Sequence, residues 1–213
     1  MSGKVITVAQ QKGGSGKTTF AANLAVAAAQ NGKSVALIDS DAQGSLGRWY
    51  MARLEDPKPG AAELSFSTAS AWGIAFECDK LKKEHDLVIV DTPPKIDADL
   101  RPALRISDLV VLPVSASHVD IWATEGLIEL AQREDRPVMA VLNRALAGTR
   151  LAEQIAGQLC ELACETAATT ISNRVLYAET LGRGQSVVEV RKSGPAAKEF
   201  YALTTEILSA LKD

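Results

Sequence analysis

The chain has 213 residues, of which 46% are apolar, and 23 Lys and Arg against 26 Asp and Glu give a formal net charge of −3. This length and apolar content exclude intrinsic disorder and predict a single domain over residues 1–213, while the acidic balance excludes a molecule whose overall field attracts nucleic acid. Three cysteines without a framework spacing and the lack of a membrane-spanning stretch predict free thiols in a cytoplasmic protein without membrane insertion.

Short β-branched runs alternate with longer alanine-rich segments, which is typical of βαβ units around a buried parallel sheet. In chain order the pattern predicts strand 5–9, helix 17–30, strand 34–39, helix 71–84, strand 86–91, helix 99–106, strand 108–114, helix 117–134, strand 136–143, helix 149–164, strand 169–171 and helix 194–211. Ser117 and Asp120 suggest a capping box at the start of the fourth of these helices. The order predicts an α/β fold with one doubly wound, mostly parallel sheet and helices on both faces.

A glycine-rich segment, QQKGGSGKTT at residues 10–19, connects the first predicted strand to the first predicted helix. Its glycines can take positive φ and let backbone N–H groups approach phosphate oxygens at the positive end of the helix. Lys17 can then reach the β- and γ-phosphates of a nucleotide, and the Thr18 hydroxyl can ligate Mg²⁺. The alternative is a glycine turn that only joins strand to helix. The residues predicted to bind the nucleotide here are Lys12, Gly13, Gly14, Ser15, Gly16, Lys17, Thr18 and Thr19.

The loop departs from the general pattern G-x-x-x-x-G-K-[ST], because Gln11 stands at the first glycine position. With Lys12 directly before the glycines it has the form K-G-G-x-G-K-T-T, which resembles the deviant Walker A motif of the ParA/MinD family of P-loop ATPases. The resemblance implies that Lys12 reaches across a nucleotide-sandwich dimer to the partner's ATP, as an arginine finger does. A solvated loop charge is the alternative for Lys12.

Acidic residues stand at the ends of two of the predicted strands, with Asp39 at the end of strand 34–39, Asp41 two residues later and Asp91 at the end of strand 86–91. Because ligands gather at the carboxyl ends of parallel strands, we expect these carboxylates to converge on the nucleotide. Asp91 is expected to hold Mg²⁺ with Thr18, and Asp39 to orient the metal shell. The family resemblance implies that Asp41 positions the attacking water, which makes Lys12, Lys17 and Asp41 the predicted catalytic residues. A lone strand-end Asp is more commonly a cap or a turn former.

The resemblance extends over nearly the whole chain, including residues 108–117 and the stretch YAETLGRGQSVVE at 177–189. Asn143-Arg144 resembles the family's adenine-side position, so Asn143 is predicted to contact the base; a strand-end turn is the alternative. Since the glycine loop begins at residue 10, we expect no helix-turn-helix before it, and the chain resembles the short ParA-type partition ATPases.

Family members bind DNA non-specifically as ATP dimers and release it after a partner protein stimulates hydrolysis. In this chain residues 144–198 are slightly basic while the remainder is acidic, although a solvated mixed-charge surface is an alternative. The candidate DNA-binding residues are Arg144, Arg174, Arg183, Arg191 and Lys192.

The resemblance therefore implies Mg²⁺-dependent ATP hydrolysis that switches the chain between a monomer and a DNA-bound, nucleoid-associated dimer. Such a switch partitions or positions a plasmid, a chromosome region or a protein cargo, with a ParB- or ParG-like adaptor as the stimulating partner. One alternative is a P-loop transferase or ligase acting on a small metabolite, similar to dethiobiotin synthetase. Another is a MinD-like spatial regulator, although the balanced charges of helix 194–211 favour a docked helix over a membrane anchor.

Overall fold

Seven parallel strands form a sheet at the centre of the molecule, in a computed structural model that describes residues 2–94 and 100–211. In chain order they are β1 (Lys4–Val8), β2 (Val35–Asp39), β3 (Ser65–Thr68), β4 (Leu87–Asp91), β5 (Leu109–Ser115), β6 (Val138–Asn143) and β7 (Glu165–Thr166). They lie side by side in the order β3-β2-β4-β1-β5-β6-β7, and every ladder is parallel. This sheet confirms the predicted α/β fold.

Helices cover both faces of the sheet. In the described ranges they are α1 (Lys17–Gln30), α2 (Ser45–Glu55), α3 (Ile74–Leu81), α4 (Leu100–Arg105), α5 (His118–Arg133), α6 (Arg150–Cys160), α7 (Val175–Leu181), α8 (Val187–Val190) and α9 (Pro195–Ala210). Strand side chains alternate between two layers: Leu37 belongs to a buried cluster with Phe20 of α1 and Phe200 of α9, whereas the next residue, Ile38, belongs to one with Ile74 of α3. Burial on both faces explains the continuous apolar runs. None of these helices combines the length and apolar character that crossing a membrane requires.

The carboxyl ends of the central strands meet at one edge. β1 lies between β4 and β5, and the chain leaves it through α1 toward β2 on one side and later reaches β5 on the other. In the aligned ladders Asp39 of β2 stands beside Asp91 of β4, which in turn stands beside Val8 of β1. The loop after β1 therefore begins next to two carboxylates, at the point in an open α/β sheet where ligands bind.

The predicted helix 17–30 coincides with α1, but α2, β3, α7 and α8 were not predicted. In α2 the buried stripe consists of Leu46, Trp49 and Arg53, so a charged residue stands where the apolar period would continue, and Gly47 weakens the intrinsic preference for helix. β3 is a four-residue edge strand in which Phe66 is the one apolar side chain. As predicted, the cysteines are free thiols: Cys78, Cys160 and Cys164.

Two predicted elements are wrong in their bounds near the end of the sheet. The last strand is Glu165–Thr166 and not 169–171, because Glu206 of α9 accepts hydrogen bonds from the backbone N–H groups of Ala168 and Thr169 and so removes them from the ladder. The predicted helix 149–164 ends at Cys160, where the chain tightens into short-range turns. Residue 99, the predicted start of the helix that contains α4, lies outside the described residues.

The far end of α2 is bound to α8 by a buried ion pair and to the segment before α8 by hydrogen bonds. The Arg53 guanidinium donates to both carboxylate oxygens of Glu189, at 2.9 and 2.5 Å, and to the carbonyls of Gly184 and Ala62. The side chains of Arg53 and Glu189 are only 8% and 11% exposed. One turn earlier on α2, the Trp49 indole N–H donates to the carbonyl of Gln185. The stretch noted at 177–189 thus holds α2 in place.

Gly184 lets this segment touch the backbone of α2. A Cβ built on Gly184 would lie 2.2 Å from the Arg53 amide nitrogen and 2.5 Å from its Cα, and the φ of Gly184 is +67°. Both the close approach and the left-handed backbone require a residue without a side chain.

We predict that Glu189→Gln lowers the free energy of unfolding by about 3–5 kcal/mol, because it leaves the buried Arg53 charge without its partner. Asp79→Asn is the matched control, since it neutralises the acid of an exposed pair with Lys82 and should cost about 1 kcal/mol or less. Urea unfolding of both variants measures the difference, and equal losses would contradict a stabilising role for the buried pair.

Candidate functional site

The glycine loop joins β1 to α1 at the carboxyl edge of the sheet. Gly14 and Gly16 take positive φ, +78° and +87°, whereas Gly13 does not. Gly16 is the N-cap of α1, and no side chain in the described part of the chain makes a capping bond at this end, so the first N–H groups of the helix are available to an anion. The loop therefore has the backbone geometry that phosphate binding needs.

A cavity of about 870 Å³ opens above this loop, within the size range of small-molecule sites. It brings together many of the predicted site residues with others from the far side of the sheet. Those that line it include Gly13, Gly14, Gly16, Lys17, Thr18, Thr19, Asp41, Asn143, Arg144, Arg174 and Tyr177. Lys12 and Ser15 line instead a separate cleft of about 370 Å³ beside the loop.

Asp91 and Thr18 form the part of the site suited to a metal ion. Thr18 Oγ1 donates to Asp91 Oδ2 at 2.6 Å, while Asp91 Oδ1 is buried without a hydrogen-bond partner among the described residues. Burial, with smaller contributions from Asp39 and Asp41, raises the pKa of Asp91 to about 7, against the opposing effects of Thr18 and Lys17. A buried carboxylate oxygen with no donor fits a cation directly or through its water.

Mg²⁺ suits this donor set. No group of three or more His, Cys, Asp or Glu side chains in residues 2–94 and 100–211 could hold a metal ion by itself. Mg²⁺ characteristically takes one or two protein oxygens and completes its shell with water and substrate phosphates. Thr18 and Asp91 would hold it, and it would neutralise charge on the β- and γ-phosphates.

Asp39 and Asp41 shape the next loop. Asp39 is 3% exposed, and its carboxylate accepts from the N–H of Asp41 at 3.0 Å and from that of Gly47 in the first turn of α2 at 2.9 Å. Burial raises its pKa, although these bonds oppose the shift. Asp41 accepts from the Gln43 N–H and lines the cavity. Asp39 thus organises the loop that presents Asp41.

Lys17 lies between these acids and the glycine loop. It is 7% exposed and lines the cavity. Burial lowers its pKa, and the nearby carboxylates of Asp91 and Asp41 oppose that shift. A mostly buried lysine in the cavity can pair with an anionic ligand, and the two carboxylates favour its charged form against the effect of burial.

The residues before the glycines contact α5. Lys12 Nζ lies 2.8 Å from Asp120 Oδ1, and Gln10 Nε2 donates to Thr124 Oγ1 at 3.1 Å. Gln11 Nε2 donates to the carbonyl of Ala123. The predicted capping box of Ser117 and Asp120 is wrong: Ser117 makes no side-chain capping bond, and Asp120 pairs with Lys12. A long-range ion pair of this kind has no local signature in the sequence.

Asn143 and Arg144 hold the glycine loop from the other side. Asn143 Nδ2 donates to the Ser15 carbonyl at 2.9 Å, and Arg144 donates to the Gly14 carbonyl. Arg144 has a φ of +56°, an uncommon conformation for a non-glycine residue. The amide of Asn143, predicted to contact the base, is therefore committed to the loop here, although both residues line the cavity.

The candidate DNA-binding residues do not form one uniform group. Arg144 and Arg174 line the cavity and are bonded within the chain, Arg174 to Glu199 at 2.7 Å. Arg183, Arg191 and Lys192 are exposed, with no ion pair among the described residues. These three are the ones suited to contact phosphates outside the cavity.

Several cavity residues were not predicted. The segment after β7 contributes Asn173, Val175 and Tyr177 to the wall, and Arg48 and Trp49 of α2 contribute on the metal side. The position of this segment depends on α9, which the sequence places far away. Its one local signal is the run of polar residues at 172–174, directly after the predicted strand 169–171.

A glycine loop carrying lysine and threonine at the carboxyl edge of a parallel α/β sheet defines a P-loop type of nucleotide-binding protein. Residues 6–187 match the family described as the CobQ/CobB/MinD/ParA nucleotide binding domain. The chain is 30% identical over 244 residues to the chromosome-partitioning ATPase Soj of Thermus thermophilus, which covers 98% of this chain and 96% of Soj. It is 28% identical over 210 residues to the maintenance of carboxysome distribution protein A of Halothiobacillus neapolitanus, over 95% of each chain.

The chain therefore belongs to the CobQ/CobB/MinD/ParA family and is an ATPase of the ParA/MinD type. The solved structure of the septum site-determining protein MinD from Pyrococcus horikoshii, complexed with Mg-ADP, has the same fold. It matches with a TM-score of 0.83 at 17% identity, over 99% of this chain and 98% of that one. The predicted family resemblance and fold are confirmed.

We predict that the stability of the ligand-free Asp91→Asn variant rises relative to that of the ligand-free parent as the pH increases from 5 to 8. The pKa of Asp91 is about 7 in the folded chain, whereas in the unfolded chain it has the ordinary acidic pKa of an aspartate. Between these two pKa values the unfolded chain has released the proton that the folded chain keeps. The parent therefore loses stability as the pH rises through this range. The amide does not titrate. Thermal unfolding without nucleotide or Mg²⁺ measures the difference.

Asp86→Asn is the control for this comparison. Hydrogen bonds from Ser34 lower the pKa of Asp86, so this carboxylate is ionised in both the folded and the unfolded chain above pH 5. The difference in stability between Asp86→Asn and the parent should therefore stay constant over this pH range. Parallel pH curves for Asp91→Asn and the parent would show that Asp91 does not titrate in this range.

Proposed function

We propose that this chain uses Mg²⁺-dependent ATP hydrolysis to switch between a monomer and an ATP-bound dimer that associates with DNA on the nucleoid and positions a cargo. The observation that carries the proposal is the convergence of Lys17, Thr18, Asp41 and Asp91 on the cavity above the glycine loop or directly beside it. The named roles of the two full-length relatives, chromosome partitioning and carboxysome distribution, support a plasmid, a chromosome region or a protein assembly as cargo.

In the proposed reaction the protein positions groups and compensates charge. The glycine-loop amides and Lys17 bind the phosphates, and Thr18 and Asp91 hold Mg²⁺. Asp41, presented by the bonds from its loop to Asp39, orients the water that attacks the γ-phosphorus, and the bond from that phosphorus to the leaving ADP oxygen breaks on the opposite side. No side chain needs to act as a nucleophile.

The position of Lys12 supports a role between two copies of the chain. Lys12 is half-exposed and does not line the cavity that holds Lys17. Its amine faces Asp120 and the smaller cleft on the other side of the loop. We propose that in the dimer this lysine compensates charge on the partner's ATP, which links nucleotide binding to association.

We predict that Lys12→Ala abolishes ATP-dependent dimers, because the proposed contact between chains is lost. Sedimentation velocity with ATP and Mg²⁺ measures the dimer fraction. Asp41→Ala is the matched variant: it should keep the ATP-dependent dimer and lose turnover at least about a hundredfold, because only the water-orienting carboxylate is removed. Dimers of Lys12→Ala at parental strength would reject the role of Lys12.

DNA association is proposed on the exposed basic residues of the carboxy-proximal region. Arg183, Arg191 and Lys192 are exposed, and dimerisation would double their number and so strengthen binding to phosphates. A separate adaptor protein of the ParB or ParG kind would supply recognition of the cargo and stimulate hydrolysis.

We predict that Arg191→Glu/Lys192→Glu weakens ATP-dependent retention on non-specific DNA and lowers the slope of log affinity against log salt by about 2 per chain. The control Lys80→Glu/Lys83→Glu reverses the charge of two other exposed lysines. Lys80 lies on α3 and pairs with Glu77, and Lys83 lies just after α3. Equal losses in the two variants would indicate an effect of net charge alone. Loss of retention in neither variant would place the DNA surface elsewhere.

A transferase or ligase that uses a metabolite acceptor is the competing function. ADP release by the purified chain with ATP and Mg²⁺ alone supports the proposed switch. Strict dependence on an added acceptor would favour the transferase.

A further inference from the structure

Glu199 of α9 gathers the segment that forms one wall of the nucleotide cavity. Its carboxylate accepts from the Ser172 N–H at 3.2 Å and hydroxyl at 2.8 Å, from Arg174 Nη2 at 2.7 Å and from the Tyr177 hydroxyl at 3.0 Å. The Glu199 side chain is only 16% exposed. Burial alone would raise its pKa, but the bonds from Arg174, Ser172 and Tyr177 outweigh it and hold the pKa below the usual range.

The segment held by Glu199 touches the cavity directly, whereas Glu199 does not. Residues 173–175, together with Tyr177 and Ala178, line the cavity. Phe200, the neighbour of Glu199, also lines it and packs edge-on against the Tyr177 ring at 5.8 Å between centroids. One largely buried carboxylate on α9 thus sets the position of a wall that a ligand would contact.

The order of the strands indicates which end of a nucleotide meets this wall. The glycine loop follows β1, at the centre, and the metal-side residues Asp41 and Asp91 come from β2 and β4 on one side. The chain enters residues 173–178 from β7, on the opposite side, and Ser172 forms a bridge there with Ala145, which follows β6. With the phosphates on the loop and the metal toward β4, the nucleoside extends toward β6 and β7.

We infer that Glu199 is a positioning residue for the nucleoside end of the bound nucleotide, acting through residues 172–177. The inference rests on the proposed nucleotide site and adds to it a residue that governs affinity for the nucleoside without touching the phosphates. Removing the carboxylate would release Arg174 and Tyr177 together.

The same helix provides a matched control. Glu206, two turns after Glu199 on α9, accepts from the N–H groups of Ala168 and Thr169, at 2.7 and 3.1 Å, and from the Thr169 hydroxyl. Residues 168 and 169 do not line the cavity. Glu206→Gln therefore removes bonds of the same kind from the same segment, but outside the nucleotide wall.

The test compares the full chain with Glu199→Gln and Glu206→Gln by calorimetric titration with ATP and with tripolyphosphate, in Mg²⁺. We expect Glu199→Gln to raise the Kd for ATP about tenfold, as loss of a charged hydrogen-bond hub implies, and to leave the Kd for tripolyphosphate within about twofold. In turnover its KM should rise while kcat stays the same. Glu206→Gln should leave both Kd values within about twofold.

Equal losses for ATP and tripolyphosphate, or equal losses of ATP affinity in the two variants, would overturn the inference, since either result indicates a general structural role. Tyr177→Phe removes one donor with little risk to folding and should raise the Kd for ATP alone by about two- to threefold; an unchanged value counts against the inference. A parent chain that binds neither ligand would overturn the proposed nucleotide site itself. Failure of the inference alone leaves a parent that binds ATP and a Glu199→Gln variant that binds it equally well.

Discussion

Two carboxylates lie side by side at the ends of paired strands, and keeping them buried there is the constraint on which the site depends. Asp39 and Asp91 are aligned in the β2–β4 ladder, and each is almost fully buried. Burial raises the pKa of both, and Asp39 adds to the cost of ionising Asp91, so each carboxylate needs hydrogen-bond donors from outside the strands. Asp91 faces Thr18 and Lys17 in the first turn of α1, and Asp39 takes N–H groups from the loop before α2 and from its first turn. The beginnings of both helices are thereby fixed at the same edge of the sheet.

Hydrogen bonds and an ion pair hold the glycine loop on two sides. Gln10, Gln11 and Lys12 contact α5 on one side, and Asn143 and Arg144 hold the loop carbonyls on the other. A loop rich in glycine would otherwise lose much conformational entropy on binding a ligand. Because these contacts order it beforehand, more of the interaction with a bound anion remains as affinity.

Much of the fold could be predicted from the sequence because the patterns that mark its strands and helices are local. Continuous apolar runs predicted the central strands, and the glycine-rich segment at residues 10–19 marked the boundary between β1 and α1. Elements held by distant partners could not be found this way. α2 has Arg53 in its buried stripe, and that residue makes sense only once Glu189 lies against it.

The same division applies to the site. The glycine loop and the strand-end acids Asp39, Asp41 and Asp91 have local patterns, and the structure gathers them at one edge. The partners of Asn143 and Asp120 lie far along the chain, so the base contact predicted for Asn143 and the cap predicted for Asp120 did not anticipate the bonds that these side chains make. Sequence patterns located the chemistry, and tertiary contacts decided how each group is held.

The close contact between the backbones of Gly184 and Arg53 affects how a set of substitutions in this protein must be interpreted. The backbone of this residue lies against that of Arg53 with no room for a methyl group, and its φ disfavours every L-residue. Alanine, the usual neutral replacement, is therefore a disruptive one here, and it would displace α2 and with it the loop that carries Asp41. An alanine scan would score position 184 as essential for activity, although no atom of that residue needs to meet the nucleotide. At this position loss of activity would reflect the lack of space between two backbones and not a contact with the nucleotide.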